Sequence, residues 1–280
     1  LVAVALNMLV WALVGVLVWD RVRGHDDQQT GVLAYFITAF ALLGFSGTAW
    51  TYSGMEMPLV GLAWLGAATL HLWERKTNRW PVLSAMVTVA AGLLRPDGIL
   101  VAITLALSTW LAGPKKRNWS RAIMYSVVVL GLFGGYWLWR WQYFGYPLPN
   151  TFYAKVTHTS LALSRTGLLY LLRWFFGMGV PFLGALAMFY ARGRRPVPRW
   201  VRVMQGLVAT SIGYVLLVGA DFFSFHRYLV PSFAPMLLVT WWYGVEALTR
   251  WRELHPAKPR SRRAKIAWAV IAFVALQMMY

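Results

Sequence analysis

Between Arg121 and Arg140 the chain reads AIMYSVVVLGLFGGYWLW, residues 122–139. This run carries no charge and approaches the ~20 residues a helix needs to cross a bilayer. Lipid offers backbone N–H and C=O groups no partner, so such a run must satisfy them internally, as a helix. It also lacks the alternation of a membrane β-strand. Nine further apolar runs cover roughly 1–19, 31–50, 56–73, 81–94, 97–112, 167–191, 204–220, 228–247 and 266–280. The expected fold is therefore all-α: a polytopic transmembrane helical bundle of about nine to ten membrane segments, forming one transmembrane domain over 1–280. The chain opens on Leu1-Val2-Ala3 inside an apolar run and closes at Tyr280 in a short one, so it reads as truncated at both ends.

Composition agrees. Charged residues make up 13% of the chain and hydrophobic ones 59%, whereas a soluble domain is about 25% charged. Nine acids are too few to build the outer faces of a large soluble bundle. The net charge of +18 does not point to nucleic acid, because no basic stripe lies on a soluble element. The cations sit instead in short loops between apolar runs. There is no cysteine, which excludes disulfides, thiolate metal sites and cysteine nucleophiles.

Those loops set an orientation. The stretches around Arg21 and Arg23, Arg75 to Arg79, Lys115 to Arg121, Arg192 to Arg202 and Arg250 to Lys265 hold 21 of the 27 Lys and Arg residues. By the positive-inside rule they face the cytoplasm. Runs 81–94 and 97–112 then have both basic ends inside, and Arg95-Pro96-Asp97-Gly98 becomes the outer tip of a short hairpin. Pro96 biases Arg95 toward an extended backbone, and Gly98 tolerates a turn. The same logic places Ser53–Pro58, Arg140–Thr166 and Asp221–Arg227 outside.

Four polar clusters thus share one side. Tyr52-Ser53-Gly54-Met55-Glu56-Met57-Pro58 puts a carboxylate at a helix start, where the dipole favours it. In Leu94-Arg95-Pro96-Asp97-Gly98 the two charges can pair with each other or face a cavity. Tyr143–Lys155 mixes aromatics, prolines, the Asn150 amide and the Lys155 cation, a set suited to a sugar or a phosphate, although an aromatic belt at the membrane surface has the same composition. Gly219–Pro231 holds Asp221, His226 and Arg227. Arg227 can bind a phosphate through two parallel hydrogen bonds, or can snorkel to the interface. Elsewhere, Asp26-Asp27 falls in a loop assigned to the cytoplasm, His71 reads as structural, and no H-E-x-x-H or phosphate-binding glycine loop occurs.

In this order, Ser53-Gly54-Met55-Glu56, Leu94-Arg95-Pro96-Asp97-Gly98, Pro149-Asn150-Thr151-Phe152-Tyr153-Ala154-Lys155 and His226-Arg227-Tyr228-Leu229-Val230-Pro231 resemble the polytopic membrane glycosyltransferases of the GT-C superfamily. The nearest branch is that of the actinobacterial terminal arabinofuranosyltransferases and the related flagellar-motor-control membrane proteins. The resemblance runs from about 50 to 235. The branch has Gly-Gly-Asp where this chain has Gly219-Ala220-Asp221, a change that touches the backbone beside the acid.

The resemblance implies an integral protein of the bacterial plasma membrane with an extracytoplasmic catalytic cavity. It implies a polyprenyl-phosphate sugar donor and a cell-envelope glycan or lipid acceptor. It also implies a general base in a first outer loop upstream of Leu1, leaving the catalytic residue unassigned in this chain, which is expected to be inactive alone. The expected donor-binding residues are Arg227, His226, Lys155, Arg95, Asn150 and Tyr153. Asp221, Asp97 and Glu56 are expected as supporting acids. No cofactor is required. A divalent cation is admissible at Asp97 or Asp221, but nothing in the sequence calls for one. A lipid-linked glycan transporter and a non-enzymatic protein on the same scaffold remain the competing readings.

Overall fold

The computed structural model describes residues 56–111, 116–148, 153, 160–177, 180–191, 193, 196–219 and 226–254, together with positions 5 and 16. The expected runs 1–19, 31–50 and 266–280 lie outside these residues except at those two helical positions. Among the described residues the chain is helical and contains no strand. The helices are α1 (Met57–Lys76), α2 (Val82–Leu94), α3 (Val101–Trp110), α4 (Lys116–Phe144), α5 (Ser160–Gly177), α6 (Val180–Ala191), α7 (Arg199–Val218) and α8 (Phe233–Leu254). Short 3-10 segments at Pro96–Leu100 and Arg227–Ser232 lead into α3 and α8.

Two helices, Asn118–Phe144 and Arg199–Val218, are long and apolar enough to cross a membrane. The apolar face of the first, including Ile123, Val127, Leu130 and Leu138, is exposed. The hairpin helices are shorter. Thirteen residues in α2 rise only about 20 Å, less than the ~30 Å hydrocarbon core.

The hairpin tip follows its local chemistry. Arg95 is extended (φ −150°, ψ 140°), as a residue before proline should be. Gly98 lies so close to α2 that an added Cβ would meet the Ala91 carbonyl oxygen at 2.0 Å. Trp64 Nε1 of α1 donates to the Gly98 carbonyl at 2.8 Å, which ties the tip to α1. At its other end, α2 is capped from across the hairpin. The buried Glu74 carboxylate of α1 accepts from Leu83 N (2.8 Å), Ser84 N (3.2 Å) and Ser84 Oγ (2.5 Å), satisfying donors that a helix start leaves orphaned.

The single run expected at 167–191 is two helices. α5 ends at Gly177 and α6 begins at Val180-Pro181. Proline fits the first turn of a helix but breaks an interior, so an unbroken helix through Pro181 is disfavoured. α4 and α7 also start earlier than their apolar runs, because Lys116–Arg121 and Arg199–Val203, stretches interrupted by cations, continue the helix.

α1 packs on α2 and on the Arg227–Ser232 segment; α2 and α3 pack on α4; α3, α5 and α8 pack on α7; α6 packs on α8. Small residues allow the close approaches, with Gly206 against Thr104, Gly167 against Val215 and Gly184 against Thr240, as is usual where lipid removes the hydrophobic drive between helices. Val60, Trp64, Leu65, Leu105, Leu207, Leu237 and Trp241 form the centre of the core.

Candidate functional site

The fold segregates charge. Arg75, at the end of α1, donates to Ser108 O (3.2 Å) and Asn118 Oδ1 (3.5 Å). Arg121 donates to Asn78 Oδ1 and Arg79 O, both at 3.0 Å. The charges of Arg121 and Arg199 act on Arg75. Four cations from three predicted cytoplasmic loops thus gather at one end. Glu56 lies at the opposite end of α1, 20 residues away, or about 30 Å along a helix.

At that opposite end residues of three of the four sequence clusters meet in space. Arg95 NH1 bonds Glu56 Oε1 at 2.7 Å, and Arg95 Nε bonds Asp97 Oδ1 at 2.8 Å. A weaker contact joins Arg95 NH2 to Asp97 Oδ2 at 3.4 Å. The Arg95–Asp97 pair anticipated from spacing is formed, and Glu56 joins it across 39 residues. Burial alone would raise the Glu56 pKa. A backbone hydrogen bond at its own residue, the Arg95 guanidinium and the more distant Arg227 charge hold it below the usual carboxylate range. Burial works against the charge on Arg95, but Asp97 and Glu56 more than offset it and keep the guanidinium protonated.

Arg227 is only 6% exposed. Its guanidinium carbon lies 5.7 Å from the Tyr228 ring centre, and its charge reaches Glu56. The Arg227–Ser232 segment rests on the start of α1, where Gly61 would bring a Cβ within 3.5 Å of Pro231 Cα. His226 precedes it in a left-handed backbone (φ 55°, ψ 45°), a conformation uncommon outside glycine and most often met at turns and special sites. Its ring stands edge-on to Tyr170 with centres 4.9 Å apart. Burial, reinforced by the charge of Arg173, pulls its pKa down to about 4, so the imidazole is neutral at pH 7.

Tyr153 makes contacts within its own loop. Its hydroxyl accepts from Leu148 N at 3.3 Å, and its ring packs near Tyr146 at 5.7 Å. Asn150, Lys155 and Asp221 lie outside the described residues, as does Ser53-Gly54-Met55. No group of three or more His, Asp or Glu side chains suited to a metal occurs among the described residues. Both oxygens of Asp97 face Arg95.

Val60, Trp64, Ser211 and Tyr214 escaped the sequence reading. Val60, Trp64, Ser211, Tyr214, Tyr228 and Pro231 line a crevice beside Asp97, with room for about one water molecule. The Ser211 hydroxyl is buried there without a hydrogen-bond partner, the condition in which an ordered water is expected. The adjacent hydroxyls of Thr210 and Ser211 in an otherwise apolar stretch of α7 were the signal. Tyr170 and Arg173, which flank His226, were read as part of an ordinary apolar run.

Comparison with protein-family models, with curated proteins and with solved structures gave no match in any of the three. The motifs themselves therefore carry the resemblance described above.

Proposed function

We propose that this chain is the membrane core of a polytopic glycosyltransferase. It takes a sugar from a polyprenyl-phosphate donor to a cell-envelope glycan or lipid on the extracytoplasmic face of a bacterial plasma membrane. The supporting observation is convergence. Residues from three separate stretches, Glu56, Arg95-Asp97 and His226-Arg227, gather at the end of the bundle away from the loop cations. The exposed apolar face of α4 favours the membrane setting, since a soluble protein rarely leaves so wide a patch uncovered.

In this reaction an acceptor oxygen attacks the anomeric carbon while the bond to the lipid phosphate breaks. The acceptor proton passes to a base that no residue here is assigned, and the phosphate leaves with added negative charge. A cation fixed in a low-dielectric site stabilises that charge most. Arg227 suits the role: it is buried, and its guanidinium can grip a phosphate through two hydrogen bonds. Arg95 fits it less well, since its donors already face Glu56 and Asp97. It is better read as the residue that positions the hairpin tip beside Arg227. The neutral imidazole of His226 supplies a hydrogen bond and no second charge.

The test is transfer from a radiolabelled polyprenyl-phosphate sugar by the protein in membranes. Arg227→Ala lowers transfer by about 100-fold or more at normal membrane abundance, whereas near-normal transfer would remove Arg227 from the reaction. The one-water crevice and the occupied donors of Arg95 favour a second reading, a transporter or non-enzymatic protein on the same scaffold. Purified protein in detergent separates them, because an enzyme still makes product there and a transporter does not.

A further inference from the structure

We propose that the basic end of the bundle is a binding site for the phosphate head group of an anionic membrane lipid, held by Arg75, Arg121 and Arg199.

Arg75 reaches Asn118 and Arg121 reaches Asn78 and Arg79 at this end, and the charges of Arg121 and Arg199 act on Arg75. Like charges gathered in a partly buried place are costly without a counter-ion. Among the described residues Arg75 meets neutral acceptors, Ser108 O and Asn118 Oδ1, and its Nε is buried with no partner. A buried donor in that state forfeits free energy that an incoming acceptor would restore. The neighbouring carboxylate, Glu74, accepts from Leu83 and Ser84 at the start of α2 and makes no ion pair with Arg75 among the described residues.

Arg199 adds a second argument. It stands in the first turn of α7, which has no acid and no side-chain cap. A cation there opposes the helix dipole, so helix stability does not account for its position. An anion at the same place would satisfy both Arg199 and the free N–H groups of the helix start. Arg199 is exposed while Arg121 is buried, so the group opens outward from a fixed base.

The surroundings favour a lipid as the source of the anion. Trp73, Trp80, Trp110 and Trp119 are exposed around this end, with Trp110 edge-on to Trp119 at 5.7 Å and Arg79 over Trp73 at 4.6 Å. Exposed tryptophans of this kind settle at the head-group level of a bilayer. They would set the guanidiniums at the depth of lipid phosphates, with apolar ring surface beside the acyl chains.

The experiment reconstitutes the full chain into mixed vesicles of phosphatidylcholine and phosphatidylglycerol, extracts it into detergent, and counts retained lipids by native mass spectrometry. Phosphatidylglycerol should be retained over phosphatidylcholine. The pair Arg75→Gln and Arg199→Gln should lower that retention by about tenfold or more, the loss expected for charge-assisted hydrogen bonds. Lys76→Gln, which removes an exposed charge at the same end, should leave it unchanged. Equal retention of the two lipids by the wild type would overturn the proposal whether or not the variants fold. So would an equal loss in Lys76→Gln. Displacement of the bound lipid by excess inorganic phosphate would assign the site to a free anion and overturn the lipid head group.

Discussion

The two ends of α1 handle positive charge in opposite ways. At the Glu56 end, one guanidinium is bracketed by two carboxylates, and Arg95 is locked at 2.7 and 2.8 Å. At the Lys76 end, Arg75 and Arg121 lean on carbonyl and amide oxygens, while Glu74 is spent on the backbone of α2. The first arrangement fixes geometry: a tip held by a tight ion pair presents Asp97 and the neighbouring Arg227 in one orientation. The second leaves an excess of positive charge among the described residues. A partly buried ion pair is thus a positioning device here, and the basic end is the binding device proposed above.

Substitutions sharpen the contrast. The largest effect should come from Glu74→Ala, which strands three donors at the start of α2 and costs about 4 kcal/mol; thermal unfolding in detergent would measure it. A loss under about 1 kcal/mol would mean that α2 does not depend on this cap. Next, Arg95→Ala leaves Glu56 and Asp97 facing each other. Because this trio is partly exposed, the expected cost is about 2 kcal/mol. A double-mutant cycle with Glu56→Gln should show coupling between the two sites, and strict additivity would mean the ion pair is not formed.

The smallest effect concerns pH. The folded-state pKa of His226, about 4, lies below its ordinary value of 6.5. The unfolded chain therefore binds the extra proton first as pH falls. Stability from this group is complete above about pH 6.5 and drains away between there and pH 4. Asn tolerates a left-handed backbone, so His226→Asn should keep the turn and flatten the stability profile over that window. An unchanged slope would exclude His226 as its source.

How much of this was legible in the sequence depends on range. The hairpin tip could be read because Pro96 and Gly98 act on their immediate neighbours, and the Arg95–Asp97 pair because two residues separate them. Glu56 could be placed on the same side from loop charge, but its bond to Arg95 spans 39 residues and no local pattern announces it. Glu74 was invisible for another reason. A single acid among loop cations reads as noise in a charge count, although its role is to cap a helix from across the hairpin. The division at Gly177–Val180 was missed because hydropathy is continuous through it; the breaker signal was Pro181, outweighed by the apolar run.

The most direct test of the account uses the absence of cysteine from this chain. Lys76→Cys and Tyr146→Cys place single thiols at exposed positions near the two ends, and a membrane-impermeant maleimide is applied to intact cells. The account predicts labelling of Tyr146→Cys at once and of Lys76→Cys only after permeabilisation. Labelling of both from outside, or the reverse order, would contradict it.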